Sequence, residues 1–259
     1  MPSYKVIKSG HIVEIYEYQN TRAKLPLEEK DEKYTGEFEK IEEGENEEEE
    51  EKERQDEYRQ RTNIRARNKI RRLINMNFDN KSLFVTLTFA DNIQDIPYAN
   101  NEFDKFIKRM KRRQGNFAYV AVMEFQKRGA IHYHMVCNWE TTWKDHEELQ
   151  EREREIASIW KHGFCDIQEI KHLDNVGAYL IKYMTKDNVD SRLDGKKRYF
   201  HSRNLDKPME LTGEEAKQII EEYLNKIPVF TNEYSSEWTG KVMYREYNPL
   251  RLDRGINGE

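Results

Sequence analysis

Apolar and polar positions along the chain alternate in two rhythms, one of period two and one of about 3.6 residues. Two-residue alternation over 4–8 and 12–18, broken by Ser9-Gly10-His11, predicts a β-hairpin. Residues 83–90 (LFVTLTFA) are β-branched and aromatic and read as a strand. Phe103, Phe106, Ile107 and Met110 recur at i, i+3, i+4 and i+7, which predicts a helix over 101–114. Strands follow over 119–126 and 130–138 around Lys127-Arg128-Gly129, then a helix over 143–160, a strand over 163–170 and a helix over 174–186. The order β-α-β-β-α-β-α predicts an α+β protein: an antiparallel sheet with flanking helices, of the split βαβ or RRM-like kind. Towards the C-terminus, a helix is expected over 213–225 and strands over 229–234 and 241–247. The stretch RYFHSRNLDKP (198–208) receives no element. The division expected is an N-terminal segment 1–80, a core 81–190 and a C-terminal accessory segment 191–259.

Charge changes the reading of the first segment. The chain is 36% hydrophobic and 36% charged with a net charge of −5, but the charges are not spread evenly. Residues 37–56 hold twelve acidic and three basic side chains. Residues 20–36 read as irregular and 42–53 as low-complexity, partly disordered or frayed helix. A basic helix is expected over 53–76, with Arg59, Arg61, Arg65, Arg67, Lys69, Arg71 and Arg72 as candidate DNA contacts, joined by Lys127 and Arg128. No apolar run approaches the roughly 18 residues a membrane helix needs, so no membrane partner is expected. Two cysteines without a CxxC pair argue against a disulfide framework or structural zinc and fit a reducing cytoplasm.

Candidate chemistry concentrates in the second hairpin. His132 and His134, at i and i+2 of a strand, point to one face, while Ile131, Tyr133, Met135 and Cys137 point to the other. A three-residue loop ending in Gly129 sets a register in which Phe125 faces Ile131, Met123 faces Tyr133 and Glu124 faces His132. Facing Cβ atoms lie about 4.5–5.5 Å apart, so two imidazoles and a carboxylate converge on the polar face. Such a trio is a candidate site for a divalent metal, Mg2+ or Mn2+ among the options. In the helix DNVGAYLIKYMTK, Tyr179, Lys182, Tyr183 and Lys186 form one stripe, and Leu173, Val176, Leu180 and Met184 another that would pack on the sheet. A phenol with a pKa near ~10 needs help to attack at neutral pH, and nearby ammonium groups supply some of it.

Taken together, LFVTLTF (83–89), EFQKRGAIHYHMV (124–136) and AYLIKYMTK (178–186) resemble, in order, the three motifs of the HUH endonucleases. The Tyr-x-x-x-Tyr spacing is similar to that of two-tyrosine rolling-circle replication initiators of small phages and plasmids. The resemblance covers roughly residues 80–190. It implies a five-stranded antiparallel sheet, a metal held by Glu124, His132 and His134, and Tyr179 and Tyr183 as nucleophiles assisted by Lys182 or Lys186. It further implies nicking of single-stranded or extruded origin DNA, a 5′-phosphotyrosine link, a free 3′ hydroxyl and later rejoining. The resemblance also implies a host polymerase in a bacterial cytoplasm, and the absence of a GxxxxGK[ST] loop points to a host helicase. An HUH transposase shares this chemistry. Relaxases usually place the tyrosine before the histidines, an order this chain reverses. A non-catalytic RRM-like binder shares the element order, but the aromatic RNP1 pattern is missing from 117–138.

Overall fold

The computed structural model describes residues 3–20, 45–139, 141–185, 192, 196–236 and 240–251. The stretch 21–44, read as largely irregular, and Lys186 lie outside them. The described residues divide into two units.

The first unit gathers strands from both ends of the chain. The predicted hairpin is present as β1 (Ser3–Ser9) and β2 (Ile12–Tyr18). It is joined by β8 (Met209–Thr212), β9 (Phe230–Ser236) and β10 (Gly240–Tyr247) in the order β8-β1-β2-β10-β9. Residues read separately as N-terminal and C-terminal segments therefore build one sheet. Helix α5 (Gly213–Tyr223) buries Ala216 and Tyr223 in a core with Val6, Val13, Ile15 and Tyr247. The described part of the acidic stretch and the basic stretch lie in a single helix, α1 (Glu45–Asn77), which begins earlier than the 53–76 expected. Its residues up to Asn68 fall in the first unit and those from Lys69 in the second.

The second unit carries the expected antiparallel five-stranded sheet, ordered β6-β3-β5-β4-β7. Its strands are β3 (Leu83–Thr88), β4 (Tyr119–Phe125), β5 (Ile131–Cys137), β6 (Cys165–Glu169) and β7 (Tyr199–His201). Odd-numbered residues of β3, β4 and β5 enter the main core: Leu83, Val85, Leu87, Tyr119, Ala121, Met123, Ile131, Tyr133 and Met135. Two helices cover that face. Helix α2 (Ile96–Arg113) contributes Phe103, Phe106, Ile107 and Met110, the residues the spacing picked out. It starts before the predicted residue 101 because Asp95 accepts a hydrogen bond from the Tyr98 N–H at 2.9 Å and Pro97 occupies the first turn. Helix α3 (His146–Trp160), capped by Asp145, supplies Ile156 and Trp160.

Strand β7 went unpredicted because three residues are too few to show alternation. Its Phe200 nevertheless joins the core and pairs with Ala121 across the edge of β4. The opposite face of the sheet is met by helix α4 (Val176–Thr185), which packs on β4 and β5 and buries Val176, Leu180 and Met184 as its spacing predicted. Asn175 caps this helix, accepting from the Ala178 N–H at 2.9 Å. The start of α4 sits tightly on the last turns of α1. A Cβ at Gly177 would lie 2.4 Å from the Arg71 carbonyl oxygen, so no larger residue fits this crossing. The Gly177 N–H donates to Asn75 Oδ1 at 2.7 Å, and Asn75 donates to Asn175 at 3.0 Å, which ties the two helices together. No described helix is long and apolar enough to cross a membrane.

Candidate active site

The hairpin takes the predicted register: Phe125 pairs with Ile131, Met123 with Tyr133, and Glu124 with His132. Gly129 closes its turn at φ 90°, a conformation that favours glycine. Strand β3 lies on the other side of β5 and sets Thr88 against His132 and Thr86 against His134. The result is a polar patch in the middle of a sheet, bounded by buried Val120, Val122 and Val136.

Both imidazoles are buried, and they differ in their partners. His134 is held at both nitrogens: Nε2 lies 2.7 Å from Glu124 Oε2, and Nδ1 lies 3.2 Å from the Thr86 hydroxyl. A neutral ring with its proton on Nε2 satisfies both contacts, donating to Glu124 and accepting from Thr86. His132 Nε2 is buried without a hydrogen-bond partner. Burial above all, joined by His134 and Arg128 and opposed by Glu124, pulls the His132 pKa down to about 4. His132 is therefore uncharged at neutral pH, the form that donates a lone pair to a metal.

The donor set fits a divalent ion in chemistry: two imidazoles and a carboxyl group on one face, with one ring nitrogen lacking a partner. The side chains as they stand do not converge on one point, and no described group of three His, Cys, Asp or Glu is arranged to hold a metal. The contact between Glu124 and His134 would have to open to admit an ion.

Helix α4 lays its tyrosines over this patch. The Tyr183 ring stacks on His134 with centroids 3.8 Å apart, and it also stacks on Phe84 at 5.5 Å. Tyr179 meets Phe84 edge-on at 5.1 Å and Tyr183 at 6.2 Å. Lys182 Nζ sits 3.5 Å from the centre of the Tyr179 ring and 5.0 Å from that of Tyr183, in cation–π contact with both. Burial pushes the Tyr183 phenol above its ordinary pKa, and a hydrogen bond with Tyr179 and the negative charges of Glu124 and Asp166 add to the rise.

The structure thus brings together Glu124, His132, His134, Tyr179, Lys182 and Tyr183. Among the expected DNA contacts, Arg59, Arg61, Arg65 and Lys69 are exposed on α1, whereas Arg67, Arg71 and Arg72 are half-buried. Lys127 and Arg128 are exposed at the hairpin turn, but the Arg128 guanidinium binds the carbonyls of Phe89 at 2.6 Å and Ala90 at 3.3 Å. That bond ties the end of β3 to the turn. A hollow of about 910 Å³, lined by Asn75, Phe78, Lys81, Asn138, Trp139 and Thr142 among others, contains none of the candidate residues.

Four residues of the patch were not singled out from sequence: Phe84, Thr86, Asp166 and Gln168. Asp166 pairs across β3 with Thr86, and Gln168 with Phe84. The signal existed in the alternation of LFVTLT and CDIQE, which turns these residues away from the core. Only strand order, which places β3 between β5 and β6, gives them neighbours.

Residues 82–188 match the family model of the replication-associated protein ORF2/G2P. A stretch of 130 residues is 26% identical to the phasyl DNA replicon protein arp of Escherichia coli, covering 43% of this chain and 45% of that protein. The match thus spans less than half of the relative's length. No solved structure matches the chain. Both matches point to DNA replication.

Proposed function

We propose that this chain initiates DNA replication by cutting one DNA strand with a tyrosine hydroxyl, keeping the 5′ end as a phosphotyrosine ester and later rejoining the strand. The observation that carries the reading is the stacking of Tyr183 on His134 at 3.8 Å, which sets a pair of phenols directly over the imidazole–carboxylate patch. The similarity to replication-associated proteins over 82–188 supports the biological setting.

In this mechanism a phenolic oxygen bonds to the phosphorus of the scissile phosphodiester, and the bond from phosphorus to the 3′ oxygen breaks. The phenol's proton leaves to solvent, and the departing 3′ oxygen takes one up. Glu124, His132 and His134 would hold a divalent ion, whose role when bound is to neutralise phosphate charge. Lys182 brings a further positive charge beside both phenol rings, where it would meet the charge of a bound phosphate. The ester conserves the energy of the broken bond, so the reverse attack by a 3′ hydroxyl closes the strand. Simple single-strand binding is the competing reading, but binding gives no use for a partnerless buried imidazole facing a carboxylate.

The test is incubation of the protein with single-stranded DNA from the region flanking its gene, with Mn2+ or with chelator. The expected outcome is metal-dependent cleavage with protein attached to the 5′ product. His132→Ala and His134→Ala should each lower cleavage by about 10²-fold or more, the scale on which metal-ligand shells act. Tyr179→Phe combined with Tyr183→Phe should abolish the adduct. Full cleavage by both histidine variants, or an adduct surviving the double tyrosine change, would refute the assignment.

A further inference from the structure

The two phenols of α4 occupy different environments, and the difference reaches back to β6. Tyr179 donates its hydroxyl proton to Gln168 Oε1 at 3.2 Å. Gln168 in turn donates from Nε2 to Asp166 Oδ2 at 2.7 Å. A side-chain amide can normally present either end to a neighbour. An ionised carboxylate only accepts, so Asp166 draws the NH2 end of Gln168 towards itself and leaves the carbonyl end for Tyr179. The i, i+2 spacing of Asp166 and Gln168 on β6 puts both on the patch side, beside Thr86 and Phe84. Tyr183 has a different anchor: its ring lies flat on His134, inclined by 22°. Lys182 lies nearer Tyr179 than Tyr183, at 3.5 Å against 5.0 Å.

From these contacts we infer that Gln168, oriented by Asp166, positions Tyr179 as the first nucleophile, and that Tyr183 performs the second transfer. The inference rests on the reading of the chain as a tyrosine strand-transferase and divides the labour within it. In the first step the Tyr179 oxygen bonds to phosphorus, the bond from phosphorus to the 3′ oxygen breaks, the phenol proton goes to solvent and the 3′ oxygen is protonated. In the second, the Tyr183 oxygen bonds to phosphorus at the regenerated junction and releases a new 3′ hydroxyl in the same way. That hydroxyl then attacks the Tyr179 ester, joining the strand and returning the Tyr179 phenol. Gln168 takes no proton in either step; it fixes the direction of the hydroxyl, and fixed direction is worth up to about 10²-fold in rate when an attacking group is misplaced by an ångström.

The experiment maps the adduct on the full chain. Single-stranded oligonucleotides tiling the DNA around the gene are cut with Mn2+ under single-turnover conditions, and the DNA-bearing peptide is identified by mass spectrometry. The expected wild-type adduct is on Tyr179. Gln168→Leu should slow Tyr179 attachment about tenfold and shift the adduct towards Tyr183, with DNA affinity and melting temperature unchanged. Asp166→Leu should act in the same direction. Asp166→Asn, whose amide can donate as well as accept and so no longer fixes which end of Gln168 faces Tyr179, should weaken the preference for Tyr179 in part. A first-turnover wild-type adduct on Tyr183, or an unaltered partition in Gln168→Leu, would overturn the inference while leaving the strand-transferase reading intact. An absence of any tyrosine adduct on cleaved or bound DNA would overturn both, and is recognisable because neither peptide carries DNA.

Discussion

The two faces of the β6-β3-β5-β4-β7 sheet are made by the same strands and have opposite characters. On one, Val85, Leu87, Tyr133 and Met135 pack with α2 and α3 into a continuous core in which Phe103 stacks on Tyr133 at 4.4 Å. On the other, their immediate neighbours Thr86, Thr88, His132 and His134 form a polar patch under α4. Each residue step along β3 or β5 crosses from one role to the other, because successive side chains of a strand point to opposite faces. Stability and chemistry are thereby written in alternate letters of the same short strands. The buried histidines are tolerable because the sheet around them is held from behind.

The sharpest way to break the comparison is to injure each face in turn. Phe103→Ala should cost about 3–5 kcal/mol of unfolding free energy, as large-to-small changes in packed cores do. His132→Ala should leave the denaturation midpoint close to wild type while removing metal-dependent cleavage. Equal loss of stability in the two variants, measured by urea unfolding, would erase the distinction.

Acid and alkali should separate the faces next. His132 takes up a proton near pH 4 in the folded protein against 6.5 in the unfolded chain. The unfolded state then binds more protons between these values, so stability falls as pH drops through that window, by roughly 3 kcal/mol at most. On the core face, burial raises Cys137 from 9.0 and Tyr119 from 10.0, both to about 12. Those groups ionise first in the unfolded chain, so their contribution is complete below about pH 9 and drains away as pH rises towards 12. Unfolding curves of chelated protein across this range should show both limbs, and His132→Gln should flatten the acid limb alone. An unchanged acid limb in that variant would remove His132 as its source.

The finest test exchanges neighbours. Val85→Thr puts a hydroxyl into the apolar core and should cost about 1–3 kcal/mol. Thr86→Val removes the hydroxyl beside His134 Nδ1 and should barely move stability, yet lower metal affinity or cleavage about tenfold, as loss of a ligand's supporting hydrogen bond does. The reverse ranking on calorimetry and cleavage assays would show that the alternation does not divide the labour as described.

Much of this face-by-face division was legible in the amino-acid order. Period-two alternation and a glycine-closed loop are enough to place Glu124 opposite His132, since both are local effects of a few residues. The amphipathic stripe of α4 likewise foretold that Val176, Leu180 and Met184 would be buried. What stayed hidden was non-local. Nothing in CDIQE announces that β6 lies beside β3, so the contact between Gln168 and Tyr179, eleven positions apart, could not be read. Nor does either terminus reveal that Glu14 will pair with Glu246 across β2 and β10. Strand partners far apart in sequence are chosen by the packing of the whole sheet, which no short window contains.

The seat of α4 on Arg71 and Asn75 has a practical corollary for anyone trimming the chain. The segment that matches the family model begins at residue 82, past both of those anchors, and ends at 188, before the edge strand at Tyr199–His201. A fragment cut to those limits would keep all the named reactive groups and lose the ledge on which the tyrosine helix rests. The family match and the packing draw different borders on this molecule, and the wider one is the piece to express.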